Sequence, residues 1–450
     1  MKVASVILAA GKGTRMRSDL PKVLHKICGY PLIHYACEAS RALGIQEQVV
    51  VVGHGSQQVQ AYLGDQVLYA LQEQQLGTAH AVLAAREMLA MDEGLILVTS
   101  GDMPLLTAQT LQELVSVQRT NSGPLTMLVV TADDPRGFGR VIRGSDAQVL
   151  AVVEEAQASP DQLKIRELNA GAYCFDAAWL WQTLENLPLS PKGEYYLTDT
   201  IAAAVEQGKP VAAVSVADEL ESMGINTRIH LAEAEAAMQQ RILNQLMLAG
   251  VTIINPPSTY IEASVRIGQD TIIYPNTFLR GETQIGKNCE IGPNTIATDC
   301  KIGNQCKILA AVMEKAIVED SVDMGPFVRL RKGAHLGEHV HMGNFGEVKD
   351  SYLGEGTKMG HFSYIGNATI GKNVNIGAGT ITCNYDGQHK HATIIGDNVF
   401  IGSDTMLVAP LTIGKNASTG AGAVVTHDVR EGEVVVGVPA KALRKKNIGE

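Results

Sequence analysis

Near its start the chain reads Leu8 Ala9 Ala10 Gly11 Lys12 Gly13 Thr14 Arg15 Met16, with Pro21 and Lys22 shortly after. Backbone N–H groups of such a glycine loop can cradle a chain of phosphates, and Arg15 and Lys22 add positive charge to it. A dinucleotide fingerprint would need a third glycine where Met16 stands, and a P-loop would need Gly-Lys followed by Ser or Thr after a four-residue gap. Neither pattern is present, so the segment reads as a loop for a nucleoside triphosphate. The plainer alternative is a tight strand-to-helix turn with surface cations.

A second set of reactive residues lies where a regular pattern fails. From about Val265 to Val438 an aliphatic residue followed by glycine returns at multiples of about six, as in Ile267-Gly268, Ile285-Gly286 and Ile291-Gly292. So short a period fits a parallel β-helix with one strand per hexad, the aliphatic residue filling the axis, and at about eighteen residues per three-sided coil it predicts about ten coils. Glycine at the next position suits a corner that is crowded and calls for unusual dihedrals. The rhythm fails at Arg331, at Glu347 and Lys349, at Gly360 His361 Phe362 Ser363 Tyr364, and at residues 375–387 followed by His389 and Lys390. Imidazole titrates near neutrality and can take a proton from an attacking amine. A purely structural coil is the alternative, and His335, His339, His341, His389 and His391 read as structural.

These groups need elements to hold them. Residues 1–226 alternate apolar runs with helical patterns, the mark of a mostly parallel sheet covered by helices. Strands are expected at Ala4 to Ala9, Gln48 to Val52, Leu95 to Val98 and Leu125 to Val130, and helices at Ile33 to Leu43, Thr78 to Met88 and Ala108 to Gln118. Residues 227–249 hold no internal Gly or Pro and end before Gly250, which predicts one long connecting helix. Residues 250–450 carry the β-helix, entered through Thr252 to Tyr260, and Lys441 to Glu450 reads as a loose tail. Asp102 follows the Leu95 to Val98 strand, at the edge where open α/β sheets bind ligands. By itself it is equally a turn residue before Pro104.

The net charge of -10 argues against nucleic acid as a partner, which is held by clustered cations. The 7 cysteines are odd in number and form no CxxC pair, so neither a disulfide framework nor a thiolate zinc site is suggested, and reduced cytoplasmic thiols are the simplest reading. MKVASVILAAG lacks a small-residue cleavage site and reads as a buried first strand, and no apolar run is long enough to span a bilayer.

LAAGKGTRM followed by Pro-Lys resembles the nucleotidyltransferase signature of sugar-nucleotide pyrophosphorylases. The hexads resemble left-handed β-helix acyltransferases. NIGAGTITCNYDG, followed by Lys390, extends the resemblance over nearly the whole chain to the bacterial bifunctional UDP-N-acetylglucosamine pyrophosphorylase and glucosamine-1-phosphate N-acetyltransferase family. That resemblance implies an α/β nucleotidyltransferase domain, a linker helix and a left-handed parallel β-helix. It implies acetylation of glucosamine 1-phosphate by acetyl-CoA, then uridylyl transfer from UTP with Mg²⁺, in a cytoplasmic homotrimer with shared sites.

The resemblance also carries residue roles. Leu8, Ala9, Ala10, Gly11, Arg15 and Lys22 would serve the triphosphate; Gln72, Gly77 and Thr78 the base; Ser100, Gly101 and Asp102 the nucleotide; and Gly139, Glu154 and Asn169 the sugar. Asp102 and Asn226 would hold the metal, a sparse oxygen set that suits Mg²⁺. In the second half His361 would be the base with Glu347 orienting it. Arg331, Lys349 and Lys390 would bind the phosphate, with Tyr364 and Asn375 at the sugar. Acetyl-CoA would lie along Ala378, Asn384, Tyr385, Ser403 and Ala421. Two departures stand out: Ser100 where the family often has Tyr, and Gly437 where an Arg is expected near the coenzyme.

Overall fold

The computed structural model describes residues 1–89, 91–135, 137–190 and 193–445. It divides into two compact units, Met1–Met238 and a second from Gln239 onward.

The first unit is built on a nine-stranded sheet. Its main path runs Val211–Ser215, Leu125–Thr131, Glu167–Asp176, Leu95–Ser100, Val3–Ala9, Gln48–Val52, Leu68–Leu71, with the hairpin of Arg140–Arg143 and Val149–Val153 added beside Glu167–Asp176. All pairs along that path are parallel except those made by Glu167–Asp176. Val49, Val50, Val51 and Val52 are all buried, as are Ile96, Leu97 and Val98. Helices cover both faces of such strands, which is why they read as unbroken apolar runs. Leu8 lies opposite Ser100, so the carboxyl ends of these neighbouring strands deliver the glycine loop and Asp102 to one edge. The helix expected over Thr78 to Met88 is two pieces, Thr78–Ala84 and Arg86–Leu89. The Ala85 N–H closes back on the carbonyl of Val82, a tighter turn that ends the first piece.

The second unit winds through three sheets of 12, 10 and 9 strands, parallel throughout except for the last pair of the first. Ile273, Ile291, Ile308, Met324, Met342 and Met359 stack in register through successive coils, all fully buried, and make the axial core. Coils already begin at Thr252–Ile253 and Tyr260–Ile261, earlier than the hexad count predicts, because these strands carry no glycine behind them.

Two expectations need correcting. At most aliphatic-glycine pairs the glycine does not take a positive φ. A Cβ on Gly268 would come within 2.7 Å of the Gly286 backbone, and one on Gly402 within 2.6 Å of Gly420, so stacking against the next coil is what demands glycine. Left-handed positions fall elsewhere in the coils, on asparagines such as Asn288, Asn294, Asn373, Asn398 and Asn416, with φ between 53° and 60°, on aspartates such as Asp270 and Asp299, and on other residues and glycines. Asparagine tolerates that conformation better than other side chains. The tail is not loose over its first part: Lys441–Lys445 is a strand paired antiparallel with Glu433–Val436. The remainder of the expected tail lies outside the described residues.

Helix Arg228–Leu248 crosses the boundary between units. Ala234 belongs to a core cluster of the first unit, and Leu243 to the β-helix core.

Candidate functional site

Beyond Ala9 the chain enters the glycine loop, where Gly13 takes a left-handed conformation with φ 59°. A Cβ there would sit 2.7 Å from Cβ of Lys22, so the loop folds directly onto the residue whose cation it presents. Lys22 opens a short helical turn whose next residues, Val23 and Leu24, are buried and anchor it. Its ammonium donates to the Asp102 carboxylate and to Asn226 Oδ1, the latter at 3.2 Å. Ser100 Oγ donates to the other Asp102 oxygen at 2.6 Å. The Ile225 N–H donates to the Asp102 carbonyl at 2.9 Å and so fixes Asn226 beside Asp102.

Side chains of Lys22 and Asp102 are only 15% and 13% exposed, so the pair is poorly screened by salt. A carboxylate and an amide oxygen converge on one position held by a cation, here the ammonium. That donor set fits Mg²⁺, which takes few protein oxygens and completes its shell with water and substrate phosphates.

Two cavities meet at this point and share Leu8, Thr78, Ser100 and Asp102. One, about 310 Å³, is lined by Ala9, Ala10, Gly11, Lys22, Gln72 and Gly77. The other, about 250 Å³, is lined by Gly139, Glu154, Asn169 and Asn226. The residues expected at base and phosphates thus separate from those expected at the sugar, with the metal pair between.

Local bonds set these side chains. Gln72 Nε2 donates to the Gly77 carbonyl at 3.0 Å, and Gly77, with φ 107°, packs so close to Tyr195 that no Cβ fits. Asn169 donates to Tyr173 Oη at 2.7 Å. Burial pushes the Tyr173 phenol well above the usual range, so it stays protonated. Glu154 accepts from Thr198 Oγ1 at 3.2 Å. A Cβ on Gly101 would meet Ile33 at 2.6 Å. Arg15 is exposed in the glycine loop and lines neither cavity. Glu194, Tyr196 and Thr198 line the cavities without having been singled out in the sequence. The polar and aromatic run Gly193 to Asp199, set between helical patterns, was the available signal.

In the β-helix one outward face carries Arg329, Glu347, Tyr364 and Ile381 in register. Arg331 and Lys349 lie beside that row. Lys349 holds its proton less tightly than an ordinary lysine, first because Lys390 stands against it and then through loss of hydration and the charge of Arg331. Three cations so gathered make a receptor for a phosphate. Glu347 accepts a hydrogen bond from Arg331 Nη1 at 3.0 Å. That bond holds the carboxylate beside a cation expected at the sugar phosphate.

His361 is exposed at a corner between two sheets. Successive coils put Ala378, Ser403 and Ala421 at the same corner position, each one residue beyond the glycine that follows the axial residue. One coil further on, Val435 is followed by Val436 where the other coils have glycine, and Gly437 comes at the corner position. A column therefore runs from the imidazole along the residues expected at the coenzyme. Asn375 lies on the adjoining face, in register with Lys358 and Phe400.

The loop at 384–391 leaves the coil without disturbing it, since Ile376 pairs directly with Ile401. Asp386 clasps it by accepting from the N–H groups of Gln388 and His389, at 2.8 and 2.7 Å, and from His391 Nε2 at 2.7 Å. Asn384 is buried and donates to Asn367 Oδ1 at 2.7 Å, while Tyr385 bridges to Lys390. A Cβ on Gly366 would run into Tyr364 Oη and come within 2.9 Å of the Asn384 amide nitrogen. His335 pairs with Glu319 at 2.6 Å and His341 with Asp323 at 3.0 Å, both structural roles.

Comparison with known proteins follows the same division. A nucleotidyl transferase family model matches residues 4–220. A bacterial transferase hexapeptide model matches residues 264–296 and 392–427. The bifunctional protein GlmU of Heliobacterium modesticaldum is 46% identical over 436 residues, covering 97% of this chain and 95% of the relative. That of Pelotomaculum thermopropionicum is 47% identical over 412 residues, covering 91% and 90%. That of a Geobacillus species is 44% identical over 448 residues, covering 99% and 97%. The chain belongs to the GlmU family of bifunctional enzymes, which carry a uridylyltransferase and an acetyltransferase in one polypeptide.

Proposed function

We propose that the second unit transfers acetyl from acetyl-CoA to the amine of glucosamine 1-phosphate, and that the first unit joins the product to UTP, giving UDP-N-acetylglucosamine and pyrophosphate. The observation that carries the reading is the convergence of Lys22 on Asp102 and Asn226 where the two cavities meet. A nucleotide on the glycine-loop side and a sugar phosphate on the Glu154 and Asn169 side would bring their phosphates together at that point.

Asp102 and Asn226 are the residues that would hold Mg²⁺, which when bound supplies charge neutralisation on the phosphate oxygens. Lys22 then meets the negative charge that builds as the sugar phosphate oxygen attacks the α-phosphorus. Ser100 keeps the Asp102 carboxylate turned toward that point. Backbone N–H groups of Ala10 and Gly11 face the triphosphate, and preorganised dipoles of this kind need no reorganisation during reaction.

In the second unit Arg331, Lys349 and Lys390 hold the phosphate of the amino sugar, with Tyr364 and Asn375 at the ring. His361 takes a proton from the amine as nitrogen attacks the thioester carbonyl. The thioester lies along the corner column of Ala378, Ser403 and Ala421, with Asn384 and Tyr385 beside it. The chain acts in the cytoplasm as a homotrimer, with a neighbouring chain completing the acyl-donor site that Gly437 leaves short of a cation. The free cysteines, and the lack among the described residues of any helix long and apolar enough to cross a membrane, are in keeping with that setting.

Two assays on the intact chain test the reading. Free thiol should appear with acetyl-CoA and glucosamine 1-phosphate, and pyrophosphate with UTP, Mg²⁺ and N-acetylglucosamine 1-phosphate. His361→Ala should abolish the first and spare the second, and Lys22→Ala the reverse. A folded wild-type chain lacking either activity refutes the corresponding half.

A further inference from the structure

The segment that carries Lys22 is tied to the start of the long helix by bonds that no step above uses. Thr227 caps that helix, accepting from the His230 N–H at 3.2 Å, and Arg228 is its first residue. Arg228 Nη1 donates to His25 Nδ1 at 3.1 Å. Guanidinium can only donate, so His25 accepts with a neutral ring. Burial, and then the Arg228 charge, lower the His25 pKa and keep it in that form.

Seven residues on, two turns along the same face, the Glu235 carboxylate accepts from the Cys28 N–H at 3.1 and 3.0 Å. Cys28 lies in the turn between Lys26–Ile27 and Tyr30–Pro31, with a left-handed φ of 44°. A two-residue strand pair is far too short to hold itself. Beneath these bonds Met16, Ile27, Leu32, Leu105, Met223, Ile225 and Ala234 form one buried cluster, joining the end of the glycine loop to the approaches of Asp102 and Asn226.

Two cross-links thus join the same two stretches of chain. Lys22 meets Asn226, and three residues on His25 meets Arg228. The outer link fixes the distance across the inner one. We propose that Arg228 and Glu235 are positioning residues for nucleotidyl transfer, holding residues 22–28 so that the Lys22 ammonium stays aimed between Asp102 and Asn226. This rests on the assignment of that site to uridylyl transfer. Sub-ångström aim matters there, since small misplacements of a charged group lower rates steeply.

The test uses the full-length chain. Arg228→Ala and Glu235→Gln should lower kcat for uridylyl transfer between about tenfold and a hundredfold with little change in KM for UTP. Acetyl transfer and the thermal midpoint should be unchanged. In a double-mutant cycle with Lys22→Arg, which keeps a cation and measurable turnover, the loss from Arg228→Ala should shrink, because the arginine acts through the residue at position 22. Losses that simply add, or a fall in both activities together with the midpoint, overturn the proposal and leave Arg228 a general stabiliser. Absence of pyrophosphate release by the wild-type chain would instead refute the site assignment itself.

Discussion

The Lys390 ammonium, carried on a loop, lies against that of Lys349 on a coil strand and is the main reason Lys349 is easier to deprotonate than an ordinary lysine. Two like charges are kept together only if something between them repays the repulsion. A phosphate would do so, and its arrival should raise the Lys349 pKa back toward the ordinary value. Glucosamine 1-phosphate binding at alkaline pH should therefore take up protons, seen by calorimetry in buffers of different ionisation enthalpy. Lys390→Ala should raise KM for the amino sugar phosphate by about tenfold or more and abolish that uptake.

Gly11 has no heavy atom within 4 Å of where a Cβ would stand, and it lines the cavity beside Lys22. Its φ is not in the left-handed region. Gly11→Ala should leave the thermal midpoint unchanged while weakening UTP binding, because the methyl group occupies space that a phosphate approaches. Isothermal titration with UTP and a melting curve on the same sample check both halves of the statement.

Gly402 and Gly422 are glycines for opposite reasons. The first has its Cβ position blocked by the Gly420 backbone at 2.6 Å; the second is open but sits at φ 69°. Gly402→Ala should cost about 1–3 kcal/mol through overpacking. Gly422→Ala should cost about 1–2 kcal/mol through backbone strain. Asparagine separates them: Gly422→Asn should recover stability relative to Ala, and Gly402→Asn should lose more. Urea unfolding of the four variants decides it, and a recovery at both positions would contradict the stacking argument.

Asp386 is held well below the usual carboxylate range, first by the N–H of His389 and then by the His391 side chain and the N–H of Gln388. A depressed folded pKa means the clasp is complete above the ordinary carboxylate value and is lost only as pH falls through the lower, folded one. Mild acid should therefore leave the loop closed. Asp386→Ala removes the clasp at every pH and should raise KM for the amino sugar phosphate through Lys390, with uridylyl transfer untouched. Equal KM values for variant and wild type would show that Lys390 is held in some other way.

Residue types and spacing exposed most of the architecture. The strand ends beside the glycine loop, the long helix and the coil period follow directly from apolar runs and their repeat. What escaped was decided by contacts between distant residues. Glycine in the hexads answers to the coil above it, which no local window contains, and the positive dihedrals fell to asparagines such as Asn288. Glu347 accepts from Arg331, a partner on the preceding coil that the coil pitch brings level and that no local window contains. Lys22 meets Asp102 from far along the chain, a pairing that the glycine-loop motif does not itself contain. Lys441–Lys445 looked like a tail because a closing strand needs no hexad of its own.

The direct pairing of Ile376 with Ile401 means that the eight or so residues making up the 384–391 excursion are invisible to the axial core. Backbone pairing fixes the pitch at about 4.8 Å per coil whatever leaves the corner between two strands. Such a frame separates inheritance of shape from inheritance of taste: a corner can be rewritten to admit a different amino sugar while the stack beneath it stays as it was.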